Sequence, residues 1–286
     1  MEFSKSLFYY TNNIVPAQLF QETLKRCVDA VSQLDDTELV ITSHYPVTYT
    51  TDGSTPFVDV SDSFTAKQQE SDTEIFTQVV VSGKLVDVTG LSDRVKSFVV
   101  GPLQRDLSSI LLQLQYSLSQ SSGDYILMQE HDVFYPEGYH ERMFAALEEH
   151  EIAVAQPHTF LCANGFFRGH SLDLLSRYGA RRNIWNTFTD HCLQHNIQVV
   201  EPLLGGRNLT YGDHIPRYDD FVLVDDISPT LDVRHGLNAS GGFIIDEYND
   251  SHEYWGHKDR WLNMIDKNHL DFIDKNQIYL HGLVLV

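Results

Sequence analysis

A chain of 286 residues with 42% hydrophobic and 12% aromatic residues is long enough to bury one substantial core and too apolar to be disordered. Its formal charge of −20 at pH 7 argues against broad binding to a nucleic-acid backbone, which draws affinity from a basic surface that displaces counterions. No apolar run approaches a membrane span, and the opening Met1-Glu2-Phe3-Ser4-Lys5-Ser6 lacks a basic stretch followed by an apolar one, so a cytoplasmic protein without membrane partners is expected.

Three cysteines, Cys27, Cys162 and Cys192, are an odd number without Cys-x-x-Cys spacing. That pattern fits neither a disulfide framework nor a zinc ribbon, and reduced thiols are expected.

Ser6 to Tyr10 reads as a first strand, followed by the polar loop Thr11-Asn12-Asn13. A helix begins near Pro16, with Leu19, Phe20, Leu24, Cys27, Val28 and Val31 on one face. Glu38 to Thr42 is a second strand, which makes a β-α-β unit whose strands should run parallel. From 47 to 97 the pattern dissolves into Thr, Ser and Asp, with a hairpin expected around Ser82-Gly83, and this stretch reads as an insertion or lid. Phe98 to Pro102 resumes the sheet. The helical spacing of Leu107, Ile110, Leu111, Leu114 and Leu118 predicts a helix over Asp106 to Gln120, stopped by Ser121-Ser122-Gly123.

The run Asp124 to Pro136 then forms the centre of the chain, an apolar strand that closes on Glu130-His131-Asp132. In an extended backbone Glu130 and Asp132 project to one side and His131 to the other. Two hard oxygen ligands at a strand end suit Mg²⁺ or Mn²⁺, whose other positions are filled by water and substrate phosphate. Solvated acids closing a strand are the alternative.

A helix over Tyr139 to His150 should turn Met143, Phe144 and Leu147 inward. Strands are expected at Ile152 to Ala155, Thr159 to Phe167 and Ile197 to Glu201, and helices at Leu172 to Tyr178 and Ile184 to His195. Residues 205 to 286 are loop-rich and aromatic. With no linker composition and no internal repeat, 1 to 286 reads as a single domain. Arg177, Arg181 and Arg182 form the one dense basic cluster.

This order of parts resembles the GT-A fold of nucleotide-sugar-dependent glycosyltransferases, closest to the family-2-like group. The resemblance is carried by Ser122-Gly123-Asp124-Tyr125-Ile126-Leu127-Met128-Gln129-Glu130-His131-Asp132, where the family's Asp-x-Asp closes a central strand. Glu130 replaces the first Asp, keeping the carboxylate and lengthening its reach. The resemblance implies a Rossmann-like α/β fold, a mixed and mostly parallel sheet flanked by helices, with an insertion after the second strand.

It further implies that Thr11, Asn12 and Asn13 hold the nucleotide's base and ribose. Glu130 and Asp132, joined by His235 in Val233-Arg234-His235-Gly236, would hold Mn²⁺ or Mg²⁺. The general base would be an acid facing the acceptor: Asp190 lies in the right region, and Asp220, Asp219, Asp225, Asp226 and Glu247 are rivals. The implied activity is transfer of a hexosyl or pentosyl group from a nucleotide-diphosphate sugar, a UDP-sugar by analogy, to a hydroxyl acceptor. That acceptor is either a saccharide or a modified DNA nucleobase, as for some bacteriophage glycosyltransferases, in which case the Arg177, Arg181 and Arg182 cluster would bind the nucleic acid. A noncatalytic carbohydrate- or partner-binding protein, using the aromatic segment Tyr211 to Trp261, is the reading from another class.

Overall fold

The computed structural model describes residues 3–11, 15, 17–43, 93–100, 108–156, 159–162, 165–168, 175–194, 220–227 and 230–233. The chain forms an α/β fold. Strand β1 (Lys5–Thr11), helix α1 (Ala17–Gln33) and strand β2 (Thr37–Ser43) are followed by β3 (Val95–Val99), α2 (Ser108–Gln120) and β4 (Tyr125–Glu130). Then come β5 (Val133–Phe134), α3 (Tyr139–Glu149), β6 (Ile152–Ala155), β7 (Thr159–Cys162) and β8 (Gly165–Arg168). A 3₁₀ turn (Leu175–Arg177) leads into β9 (Tyr178–Arg181) and α4 (Arg182–Gln194), and β10 (Phe221–Val224) and β11 (Leu231–Val233) complete the set.

The main sheet has seven strands in the order β10-β6-β9-β4-β1-β2-β3. All run parallel except β9, which is antiparallel to both β4 and β6. Side-chain alternation along the strands sorts the core into two layers. Leu7, Tyr9, Leu39, Ile41 and Leu127 face Leu19, Leu24 and Val31 of α1 and Met143, Phe144 and Leu147 of α3. Phe8, Tyr10, Val40, Ile126 and Met128 face Leu111, Leu114 and Leu118 of α2 and Ile184, Trp185 and Phe188 of α4. Strands covered on both faces need continuous apolar runs, which β1, β2 and β4 supply. A second sheet, ordered β5-β11-β7-β8, adjoins the carboxyl end of β4.

Several elements depart from the sequence expectation. The third strand starts at Val95, inside the stretch assigned to the insertion, and residues 44 to 92, including the expected Ser82-Gly83 hairpin, lie outside the described residues. The single strand expected over Thr159 to Phe167 is an antiparallel pair, with Cys162 opposite Gly165. The helix expected over Leu172 to Tyr178 is, where described, one 3₁₀ turn running into β9. The strand expected at Ile197 to Glu201 also lies outside the described residues.

One carboxylate locks the amino-terminal edge of the sheet. Glu38, fully buried, pairs with Lys96 at 2.7 Å and accepts hydrogen bonds from the Ser6 hydroxyl at 3.0 Å, the Ser122 amide at 2.6 Å and the Gly123 amide at 3.3 Å. It thereby ties β1, β2, β3 and the turn before β4 together. Gly123 is required at that turn, because a Cβ there would stand 2.4 Å from the Ser6 Oγ and 2.6 Å from the Lys5 carbonyl carbon. Burial works to raise the Glu38 pKa, but Lys96 and the Ser122 amide outweigh it and hold the carboxyl below its ordinary range. A depressed folded pKa gives stability that is present above the unfolded value of about 4.3 and lost as pH falls through the folded value. Glu38→Gln should therefore destabilise the protein by about 3 kcal/mol at pH 7. In denaturant unfolding the gap to wild type should narrow as the pH drops below about 4.

Candidate active site at the carboxyl edge of the sheet

Strand order reverses between β1 and β4: from β1 the chain proceeds outward to β2 and β3, then returns to place β4 on the other side. Open α/β sheets bind ligands at such a switch point, beyond the carboxyl ends of the strands. Here those ends carry Tyr10 and Thr11 on β1 and Glu130 on β4, with Tyr10 paired directly with Glu130 and Thr11 with Ser43. Gln113 of α2, buried, fixes the edge by donating its side-chain amide to the Thr11 carbonyl at 2.8 Å and the Thr42 carbonyl at 3.1 Å.

Beyond Glu130 the backbone leaves the strand, and His131 and Asp132 form a turn before β5. The strict alternation expected of an extended Glu130-His131-Asp132 therefore does not hold. His131 is not directed away from the acids; it is buried, with Nε2 3.9 Å from the Asp132 carboxylate. The turn is gripped at two successive carbonyls. Thr23 of α1 donates to the His131 carbonyl at 2.8 Å, and the Val233 amide of β11 donates to the Asp132 carbonyl at 2.9 Å. Tyr9 joins the first grip through its hydroxyl, 2.9 Å from Thr23 Oγ1. Because β9 pairs with β4 only as far as Leu127, the Glu130 amide lies beyond it and donates instead to the Tyr135 hydroxyl at 3.0 Å.

The Tyr10 hydroxyl reports what gathers here. Its pKa is pushed far up, first by burial, then by the negative charges of Glu130 and Asp132, by its hydrogen bond to Glu130 and by the charge of Asp232. Asp232 was not singled out in the sequence. It is buried on β11 opposite Val133, one residue from the Asp132 turn, and it adds a third carboxylate to this end of the sheet. An acid between two apolar residues in the short strand Leu231-Asp232-Val233 is the signal that marks it.

The donor set suits a hard divalent cation, since carboxylate oxygens are its preferred ligands. Among the described residues no three carboxylate, histidine or cysteine side chains come close enough to hold an ion by themselves. His235, Asn12 and Asn13 lie outside the described residues.

Asp220 is not brought to these acids. Asp220 precedes β10, which starts level with the start of β6, so it stands at the amino-terminal edge opposite the switch point. Its carboxylate is occupied by His150 Nδ1 at 2.9 Å and the Glu151 amide at 3.2 Å, and the His150 bond lowers its pKa. Asp190 is an exposed residue in the body of α4 rather than at its start. Asp225 and Asp226 flank the end of β10, where Asp226 pairs with Arg142, while Asp219 and Glu247 lie outside the described residues.

The basic cluster is spent on the fold. Arg177 is buried and donates to the Ala155 and Gln156 carbonyls. Arg181 donates to the His150 and Glu148 carbonyls, and Arg182 to the Gly123 and Leu118 carbonyls and the Ser121 hydroxyl. These bonds direct the guanidinium groups to main-chain carbonyls, so the cluster lends no support to a nucleic-acid acceptor. Among the described residues no helix is long and apolar enough to cross a membrane.

No family model matches the chain, and no curated protein matches it. Solved structures similar to it in shape include S. aureus TarS 1-349 in complex with UDP-GlcNAc, at 11% identity and a TM-score of 0.42, covering 85% of this chain and 62% of that one. Another is the bifunctional IspDF from Campylobacter jejuni, at 10% identity and a TM-score of 0.38, covering 78% of this chain and 50% of that one. The chain thus spans under two thirds of the length of either protein, and similarity of this degree carries no argument about activity.

The grip on the turn has a measurable cost of removal. Thr23→Val keeps the shape and deletes the hydroxyl that joins Tyr9 to the His131 carbonyl, which should lower stability by about 1–3 kcal/mol in urea unfolding. Thr23→Ser, which keeps the hydroxyl, should recover most of that loss.

Proposed function

We propose that the protein is a metal-dependent glycosyltransferase that moves a sugar from a nucleotide-diphosphate sugar to a hydroxyl acceptor. The observation that carries this reading is the meeting of Glu130 and Asp132 with the end of β1 at the switch point of a mostly parallel sheet. The sequence resemblance around Gly123 to Asp132 supports it.

In this reading Glu130 and Asp132, with His235, hold Mn²⁺ or Mg²⁺, which when bound neutralises the diphosphate as it leaves. Thr11, Asn12 and Asn13 hold the nucleotide, with UDP the proposed carrier. The acceptor oxygen attacks the anomeric carbon, the bond from that carbon to the diphosphate oxygen breaks, and the acceptor proton passes to a carboxylate. Asp190 is the proposed base; its carboxylate is exposed, whereas Asp220 is engaged with His150 at the other edge. The buried setting of Asp132 keeps water from screening the charges that act on the diphosphate. The rigid turn spares reorganisation during reaction.

Without a cation, a nucleoside diphosphate would face Asp132, Glu130 and Asp232 in a protein of charge −20, and repulsion would oppose binding. UDP should accordingly raise the melting temperature only when Mn²⁺ or Mg²⁺ is present. At about a hundredfold excess over Kd the stabilisation is about 2.7 kcal/mol. Failure of every nucleoside diphosphate to shift the transition, with and without Mn²⁺, would refute the reading. Asp132→Asn should abolish transfer and the Mn²⁺-dependent shift while leaving the far-UV spectrum unchanged, and Glu130→Gln should weaken metal dependence in the same direction. His235→Ala should raise the Mn²⁺ concentration for half-maximal activity, and the gap from wild type should narrow below about pH 6.5, where an unperturbed imidazole protonates and the wild type loses the same ligand.

A further inference from the structure

Glu130 poses a physical problem that the site has to solve. A glutamate has one more torsion than an aspartate, and freezing a long side chain costs up to about 1.5–2 kcal/mol of rotamer entropy. A carboxylate that swings through several rotamers is a poor ligand, because each binding event has to order it again. Asp132 does not share the difficulty: its shorter side chain starts from a turn whose backbone is held on both sides by Thr23 and Val233.

The neighbour that meets this need is Tyr10. It is the residue paired with Glu130 across β1 and β4, so both side chains leave the sheet on the same face at the same height. It is 4% exposed, its ring packed in the layer formed with Met128, Leu111 and Trp185, so the hydroxyl is held by a side chain that is itself immobile. The cross-strand pairing sets that hydroxyl beside the Glu130 side chain. A phenol hydroxyl can donate to a carboxylate oxygen, so Tyr10 offers Glu130 a partner.

We propose, building on the transferase reading, that Tyr10 is a positioning residue that compensates for glutamate in place of aspartate at the first acid: its hydroxyl engages one Glu130 oxygen and presents the other to the divalent cation. The donor and the longer acid form a matched pair. Tyr10→Phe would leave Glu130 mobile, whereas Glu130→Asp would make the acid too short to reach the hydroxyl and gain nothing from it. The pairing predicts that the two positions are energetically coupled in cation binding and uncoupled once the carboxylate is altered.

A double-mutant cycle on the full chain tests this, reading Mn²⁺ affinity in the presence of UDP by electron paramagnetic resonance of free Mn²⁺. Tyr10→Phe should weaken Mn²⁺ binding by about tenfold, equivalent to about 1.4 kcal/mol, with KM for Mn²⁺ raised more than kcat is lowered. In a Glu130→Asp background the same substitution should change Mn²⁺ affinity less than about twofold. Tyr116→Phe, which removes an exposed hydroxyl on α2, serves as a control and should leave Mn²⁺ affinity within about twofold of wild type. Equal losses from Tyr10→Phe in the wild-type and Glu130→Asp backgrounds, or no loss in either, would overturn the assignment while leaving the transferase reading in place. A wild-type protein that binds no Mn²⁺ with UDP would overturn both.

Discussion

The buried Glu38 carboxylate is the constraint on which the arrangement rests. Five donor groups, from β1, β3 and the turn before β4, converge on it, and removing it would leave the Ser6 hydroxyl and the Ser122 amide without their acceptor in the interior. Its influence reaches the opposite edge through strand register. β4 begins two residues after Gly123, so fixing Gly123 against Ser6 sets which β4 residue faces which β1 residue. A slip of one residue would exchange the faces of Gln129 and Glu130. Glu130 would then enter the layer beside Cys27 and His140, and the proposed cation site would lose its first acid.

The two residues that end β4 show how one strand serves two environments. Gln129 lies on the α1 and α3 face, where its oxygen meets His140 Nε2 at 3.0 Å and Cys27 Sγ at 3.8 Å, and its amide donates to the Met128 carbonyl. Burial lowers the His140 pKa to about 4 and raises that of the Cys27 thiol, so this cluster is uncharged at neutral pH. Glu130, on the other face, joins Asp132 and Asp232 around Tyr10. Neutral polar groups are satisfied internally on one side, and negative charge is concentrated on the other. That separation gives the carboxyl edge a single chemical direction.

The parts legible in the sequence are those where burial imposes a period. The apolar face of α1, the inward residues of α3 and the buried run of β4 were each marked by spacing, and each lies in the core. β9 left no such mark. Tyr178-Gly179-Ala180-Arg181 has no alternation and contains a glycine, over which the Leu127 side chain packs so closely that a Cβ would stand 2.3 Å from its terminal methyl. A glycine and a small alanine in a four-residue strand leave little signal of strand propensity. The acid pair at the end of β4 was legible, because it depends on local order along the chain. Asp232 and the Tyr10 contact were not legible, because they arise from strands brought together by topology. The alternation inferred for Glu130 to Asp132 failed for a related reason: a turn held by Thr23 and Val233 replaced the extended backbone.

Ser6 meets Glu38 32 residues along the chain and Gly123 117 residues along it. The entropy of closing the longer loop exceeds that of the shorter by only about 1 kcal/mol, since the cost grows with the logarithm of length. The difference bears on the order of events more than on the final balance. β1, α1 and β2 find each other within a short stretch of chain, whereas β4 docks against β1 only after distant contacts close, the kind of pairing that slows folding. A nascent chain can therefore complete its first β-α-β unit before Glu130 and Asp132 have been synthesised, and the acidic edge is assembled last, onto a surface already formed.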